Sequence, residues 1–202
     1  YVPEWRDYYL SHNQINHYEY LKDVLKAMQF IKGPKKWILK SPQHLEQIPS
    51  LLKTFPDATF AITYRDPLSV VLSTATMLSY GDRVRRYKVK PKNNFNYWHN
   101  RIKTLLERFT KDYKLIPADQ KCDVFFQDLI KDNLNSVKNI YLKNSFRLNR
   151  LANDEILKYI YSNKRGKNGQ VIYDLEDFSV DKENFYESFK FYFDKFDVLK
   201  EI

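Results

Sequence analysis

The sequence predicts an α/β protein, a parallel sheet flanked by helices. Three observations carry this. Strand and helix patterns alternate between residues 37 and 81 with tight joins. The run Thr59-Phe60-Ala61-Ile62-Thr63-Tyr64 is β-rich and nearly all apolar, the pattern of a parallel strand buried on both faces. Two helix openings, Ser41-Pro42 and Asp66-Pro67, each come after an apolar run and pair a capping residue with a proline suited to the first helical position. Such βαβ joins imply right-handed crossovers.

Tyr18, Leu21, Val24, Leu25, Met28 and Ile31 recur at helical spacing and predict a helix over 17–32, stopped by Gly33-Pro34. Trp37-Ile38-Leu39 is a short apolar run that reads as a buried strand. The helix opened by Ser41-Pro42 turns Leu45, Ile48, Leu51, Leu52 and Phe55 inward, with Pro49 set to kink it. The helix opened by Asp66-Pro67 runs toward Leu78 and ends near Gly81. A long helix is expected from Tyr97 to Tyr113, and Val124-Phe125-Phe126 reads as a third strand. Helices at 133–143 and 150–161 come next, then an aromatic helix at 182–198 carrying Phe185, Phe189, Tyr192, Phe193 and Phe196. Its helical spacing points to core packing rather than to a platform for stacking bases. With no repeat and no low-complexity linker, residues 1–202 read as a single domain.

Composition narrows the function. The 34 Lys and Arg against 25 Asp and Glu give a net charge of +9, which favours anionic partners. The single cysteine, Cys122, excludes an internal disulfide and a multi-cysteine zinc site. It does not itself fix the compartment; the expectation is cytoplasmic rather than a secretory lumen. No apolar run approaches the roughly 18 residues of a membrane span. Only four glycines occur, and nothing fits GxxxxGK or GxGxxG.

Three stretches carry candidate chemistry. Arg65 leaves the C-terminal end of a strand, the edge at which open α/β sheets bind ligands, and its planar fork of donors matches phosphate. It could equally pair with Asp66 or another carboxylate. Ser73 lies six positions beyond Pro67, about 9 Å along the helix, and by itself reads as a helix-surface hydroxyl. In Leu39-Lys40-Ser41-Pro42-Gln43-His44, Lys40 could place a charge on a transferring anionic group and His44 could act as a general base. A solvated lysine and a capping histidine are the alternatives, and His12, His17 and His99 read as structural. In Asn163-Lys164-Arg165-Gly166-Lys167-Asn168-Gly169, three cations and half of the glycines could shape an anion-binding turn or simply an exposed loop. The basic run Arg83, Arg85, Arg86, Lys88, Lys90 and Lys92 reads as a solvated stretch that could also meet an anionic acceptor.

Taken together, these stretches resemble the sulfotransferase family, in particular its large, mainly bacterial branch with a Lys-Ser-Pro-x-His-Leu segment followed by Arg-Asp-Pro. Here they read Lys40-Ser41-Pro42-Gln43-His44-Leu45 and Arg65-Asp66-Pro67. The likeness continues through Ala75–Arg83 and Arg165–Phe178 and closes in the aromatic helix, Phe189 to Phe196. The resemblance implies a P-loop-NTPase-like parallel sheet flanked by helices. It implies sulfuryl transfer from 3′-phosphoadenosine 5′-phosphosulfate to an acceptor hydroxyl or amine, with no metal. The family's Arg and Ser, eight residues apart, hold the donor's 3′-phosphate; the same spacing carries this role onto Arg65 and Ser73. The family's basic-basic-Gly-x-x-Gly loop is similar to Lys164, Arg165 and Gly166 through Gly169, with Arg and Lys in a different order from the cytosolic enzymes. Lys40 resembles the lysine that stabilises the sulfuryl group.

Two departures stand out. Cytosolic members place the base two residues after the lysine, in Lys-Thr-His, and some relatives use a Glu from elsewhere; here His44 is four residues after Lys40. The family's 5′-phosphosulfate loop, Arg-x-Gly-Thr-[Ser/Thr], does not occur. The expectation is therefore a domain truncated at its N-terminus and lacking its first βα unit. The expected partners are the nucleotide donor and an unidentified acceptor, not nucleic acid. Two alternatives stay open: a catalytically inactive nucleotide-binding or structural remnant, and a basic nucleic-acid-binding domain.

Overall fold

The computed structural model describes residues 2–164, 166–169, 171, 173 and 175–202. Two helices open the chain, α1 (Pro3–Ser11) and α2 (Ile15–Lys32). Gly33 ends α2 at φ +80°, a conformation that a side chain would strain. The next segment forms no strand, contrary to the reading of Trp37–Leu39. Ile38 is 90% exposed. A strand needs a neighbour to complete its ladder, and none of the described residues pairs with this segment.

Ser41 does cap the turn after it, its Oγ accepting from the Gln43 N–H at 3.3 Å. The product is only a 3-10 turn, Pro42–Glu46, succeeded by a separate helix α3 (Ile48–Thr54). Pro49 sits in the first turn of α3 and so starts a helix rather than kinking one. Strand β1 (Phe60–Tyr64) runs parallel to β2 (Lys121–Phe125), with Phe60 opposite Lys121 and Tyr64 opposite Phe125. The β1 pattern alternates: Ile62 and Tyr64 are buried, Ala61 and Thr63 exposed. The strand is therefore covered on one face, not both, as suits a sheet with helices packed on a single side.

Helix α4 (Pro67–Arg85) is capped by Asp66 and continues through Gly81 instead of stopping there. Local ties explain the extension. Arg86 pairs with Asp82 at 3.1 Å. Asn94 of α5 (Pro91–Asp112) donates to Ser79 Oγ at 3.1 Å and Asp82 Oδ2 at 3.0 Å. Helix α5 begins at Pro91, six residues before the expected Tyr97, because a proline can start the helix. After β2 come α6 (Phe126–Lys131), α7 (Asn133–Lys143), α8 (Arg150–Ser162) and α9 (Leu175–Phe178). The aromatic helix divides into α10 (Lys182–Ser188) and α11 (Lys190–Phe193). Phe189 at the break is fully buried and packs on Phe185 at 4.7 Å between ring centres.

The core lies between β1, α4, α5 and these C-terminal aromatics. Tyr64 stacks on Phe125 at 4.8 Å and meets Phe196 at 4.9 Å, and Phe196 stacks on Phe109 at 5.4 Å. Such pairs add roughly 0.5–1.5 kcal/mol each beyond area burial. Among the described residues no helix is long and apolar enough to cross a membrane.

Candidate functional site

The C-terminal end of β1 delivers Arg65 and Asp66 to the sheet edge. Asp66 is fully buried and joins three parts of the chain. Its carboxylate accepts from the Leu68 N–H at 2.9 Å, the Tyr186 hydroxyl at 3.0 Å and the Glu201 N–H at 2.9 Å. The first is the N-cap of α4; the other two dock the C-terminal segment against it. The same hydroxyl also lies 3.0 Å from the Ile202 carbonyl.

Arg65 leaves this anchor with its guanidinium over the Phe126 ring at 4.0 Å. Its fork is engaged by a carboxylate. Arg65 Nε and Nη2 donate to Glu201 Oε1 and Oε2, each at 2.8 Å. The Glu201 hydrogen bond raises the Arg65 pKa further, against the effect of burial. Of the two readings of Arg65, this structure displays pairing with a carboxylate, through Glu201 rather than Asp66.

The other nucleotide-site candidates lie apart from these contacts. Ser73 is half-buried on α4, and among the described residues no hydrogen bond joins it to Arg65. Lys164 borders a groove between α6–α7 and α8 lined by Val137, Ile156, Tyr159 and Ile160. Gly166 and Gly169 take φ of +80° and +92° in an exposed turn. That turn is held by Lys167 N–H to Lys164 O and Gly169 N–H to Gly166 O, both at 3.0 Å. Arg165 lies outside the described residues. Tyr173, beyond the loop, comes near enough to act electrostatically on Arg65.

Lys40 is exposed on the segment before the 3-10 turn. His44, within that turn, is half-buried, and its Nδ1 lies 2.9 Å from the Tyr18 hydroxyl of α2. Burial lowers the His44 pKa and raises that of Tyr18. Two residues on, Glu46 has a fully buried side chain. Arg101 of α5 forks onto it, Nη1 to Oε2 at 3.0 Å and Nη2 to Oε1. Arg108 approaches at 3.8 Å and the Tyr9 hydroxyl donates at 2.9 Å. This network anchors the turn that presents His44. His12 and His99 are held by hydrogen-bond contacts, the first to Tyr8 O of α1 at 2.8 Å and the second to Ser188 Oγ, 89 positions away, at 2.9 Å.

Sequence reasoning missed Glu46, Tyr186 and Glu201, and saw Tyr18 only as part of an apolar face. No local pattern marks a partner 136 residues away, as Glu201 is from Arg65.

The fold is shared with solved sulfotransferases. Sulfotransferase STF9 from Mycobacterium avium superposes with a TM-score of 0.81 at 20% identity, covering 95% of this chain and 49% of that one. STF1 from Mycobacterium tuberculosis gives 0.76 at 22% identity, covering 94% of this chain and 48% of that one. The chain thus spans about half the length of these proteins. Among curated proteins, none matches. The model of the sulfotransferase family matches residues 3–143, a span that includes Lys40–His44 and Arg65–Ser73 and stops short of the 164–169 loop. On that match, over more than half of its length, the chain belongs to the sulfotransferase family.

Proposed function

We propose that the protein moves a sulfuryl group from 3′-phosphoadenosine 5′-phosphosulfate to an acceptor hydroxyl or amine, and that residues 1–202 act as one domain in doing so. The observation that carries this reading is the Arg65 fork, fixed at the end of β1 and engaged with an oxyanion through both donors. Two carboxylate oxygens and two phosphate oxygens present a similar bidentate acceptor pattern.

In this reading Arg65 and Ser73 anchor the 3′-phosphate, and Lys164, Arg165 and Gly166 reinforce it. Lys40 offsets charge developing on the sulfuryl and bridging oxygens. The acceptor oxygen or nitrogen attacks sulfur in line, the bond from sulfur to the bridging oxygen breaks, and adenosine 3′,5′-bisphosphate leaves with the electron pair. His44 takes the acceptor's proton. The lowered pKa of His44 keeps its imidazole neutral near pH 7, as a base must be.

A titration of wild type and Arg65→Ala with adenosine 3′,5′-bisphosphate and with adenosine 5′-monophosphate tests the assignment. A charge-assisted bidentate contact is worth roughly 1.5–3 kcal/mol, so preference for the bisphosphate should fall about 10–150-fold. Equal loss for both ligands would place the contact at another group. A second reading, a catalytically inactive nucleotide-binding remnant, is favoured by the occupation of Arg65 by Glu201. Bisphosphate binding without consumption of the phosphosulfate donor, across a panel of phenols, sugars and amines, would select it.

A further inference from the structure

The reading of His44 as a base leaves open which ring nitrogen works and what holds the other. Nδ1 is 2.9 Å from the Tyr18 hydroxyl, and the two rings are 5.7 Å apart between centres. Nδ1 is therefore covered by the α2 helix. Nε2 is the ring nitrogen left to take a proton, and only the Nδ1–H tautomer leaves its lone pair free.

Tyr18 can satisfy that tautomer only as an acceptor, with its own O–H turned elsewhere. The groups around it support this. Tyr9 of α1 and Glu46 of the 3-10 turn both act electrostatically on Tyr18. Glu46, with Arg101 and Arg108 of α5 on its oxygens, is the fixed carboxylate of this cluster. A hydroxyl hydrogen turned to the Glu46 side would leave an oxygen lone pair of Tyr18 for the imidazole. His44 and Glu46 stand two residues apart on a 3-10 turn, so their side chains point about 120° apart around its axis.

We infer that Tyr18 is a positioning residue for His44: its hydroxyl oxygen accepts from Nδ1–H, fixes the tautomer, and directs Nε2 to the acceptor. This rests on the reading of His44 as the base. In the step itself the acceptor's proton moves to Nε2 as the bond to sulfur forms and the bisphosphate departs. The resulting imidazolium keeps its Nδ1–H bond to Tyr18, now charge-assisted.

The test uses protein expressed from its complete coding sequence. Long-range proton–nitrogen NMR of wild type, with His44→Ala to assign the resonance, should show Nδ1–H and a bare Nε2 above the His44 pKa. Tyr18→Phe keeps the ring and removes the oxygen. It should shift the tautomer toward Nε2–H and lower kcat about 10–100-fold, leaving KM for the donor unchanged. The direction of the pH profile is decisive. An oxygen that accepts from imidazolium favours the charged form, so its loss should move the acidic limb of kcat to lower pH. A hydroxyl that donates to Nδ1 favours the neutral form, and its loss would move the limb upward. An upward shift, an Nε2–H tautomer in wild type, or no change in Tyr18→Phe overturns the proposal while His44→Ala remains slow. Full activity in His44→Ala overturns the reading beneath it.

Discussion

Arg65 and Glu201, separated by 136 positions, form a two-pronged ion pair at 2.8 Å on the sheet edge where the 3′-phosphate is assigned. A phosphate that takes the same two donors of Arg65 displaces a carboxylate, so Glu201→Gln should tighten binding of adenosine 3′,5′-bisphosphate. Arg65 is 36% exposed, which weakens the pair through solvent screening. The expected gain is modest, about 2–10-fold, and shrinks with added salt. Isothermal titration at about 50 and about 300 mM salt measures it. Weaker binding in Glu201→Gln would mean that Glu201 orients Arg65 for the ligand rather than competing with it.

Lys40 is exposed and bears no packing load. Lys40→Ala should leave the melting temperature unchanged, hold bisphosphate affinity within a few-fold, and reduce transfer by about 10²–10³. Single-turnover rates with the phosphosulfate donor check this; retained transfer would remove Lys40 from the mechanism.

The Glu46 side chain is fully buried against Arg101. Removing one partner strands the other, and Glu46→Ala should cost about 3–5 kcal/mol in urea denaturation. Replacing both with apolar residues, Glu46→Leu with Arg101→Met, should recover most of that loss. A double variant as unstable as the single would show that the other bonds of Glu46, to Tyr9 and Arg108, dominate.

His44 and His99 both have lowered pKa values, chiefly from burial. The unfolded chain then binds more protons than the folded one between their folded values and about 6.5. Stability should be full above that range and fall as pH drops through it. Urea midpoints at about pH 7.5, 6.5 and 5.5 should decline in that order, and His44→Gln with His99→Gln should flatten the slope. An unchanged slope would assign the acid sensitivity to carboxylates.

Strand β1 is legible because an apolar run between Pro56-Asp57 and Asp66-Pro67 carries its signal locally, and the cap-plus-proline pair marks the start of α4. Trp37–Leu39 carries a similar signal but forms no strand, because pairing depends on a neighbour that composition does not reveal. Gly81 reads as a stop, yet the tertiary ties from Asn94 outweigh the roughly 1 kcal/mol that a helical glycine costs. At the site, Arg65 and His44 stand out by type and position. Their partners Glu201 and Tyr18 do not, since each comes from a distant element.

The buried carboxylate of Asp66 ties residue 66 to residues 186 and 201, across 120 and 135 positions. Closing loops of that length carries an entropic penalty before any bond forms, and contacts of such high sequence separation slow folding. The Arg65 edge thus depends on contacts of high sequence separation, those of Asp66 with Tyr186 and Glu201. The Leu68 and Glu201 N–H groups share one carboxylate, so their amide exchange would report the opening of this edge together.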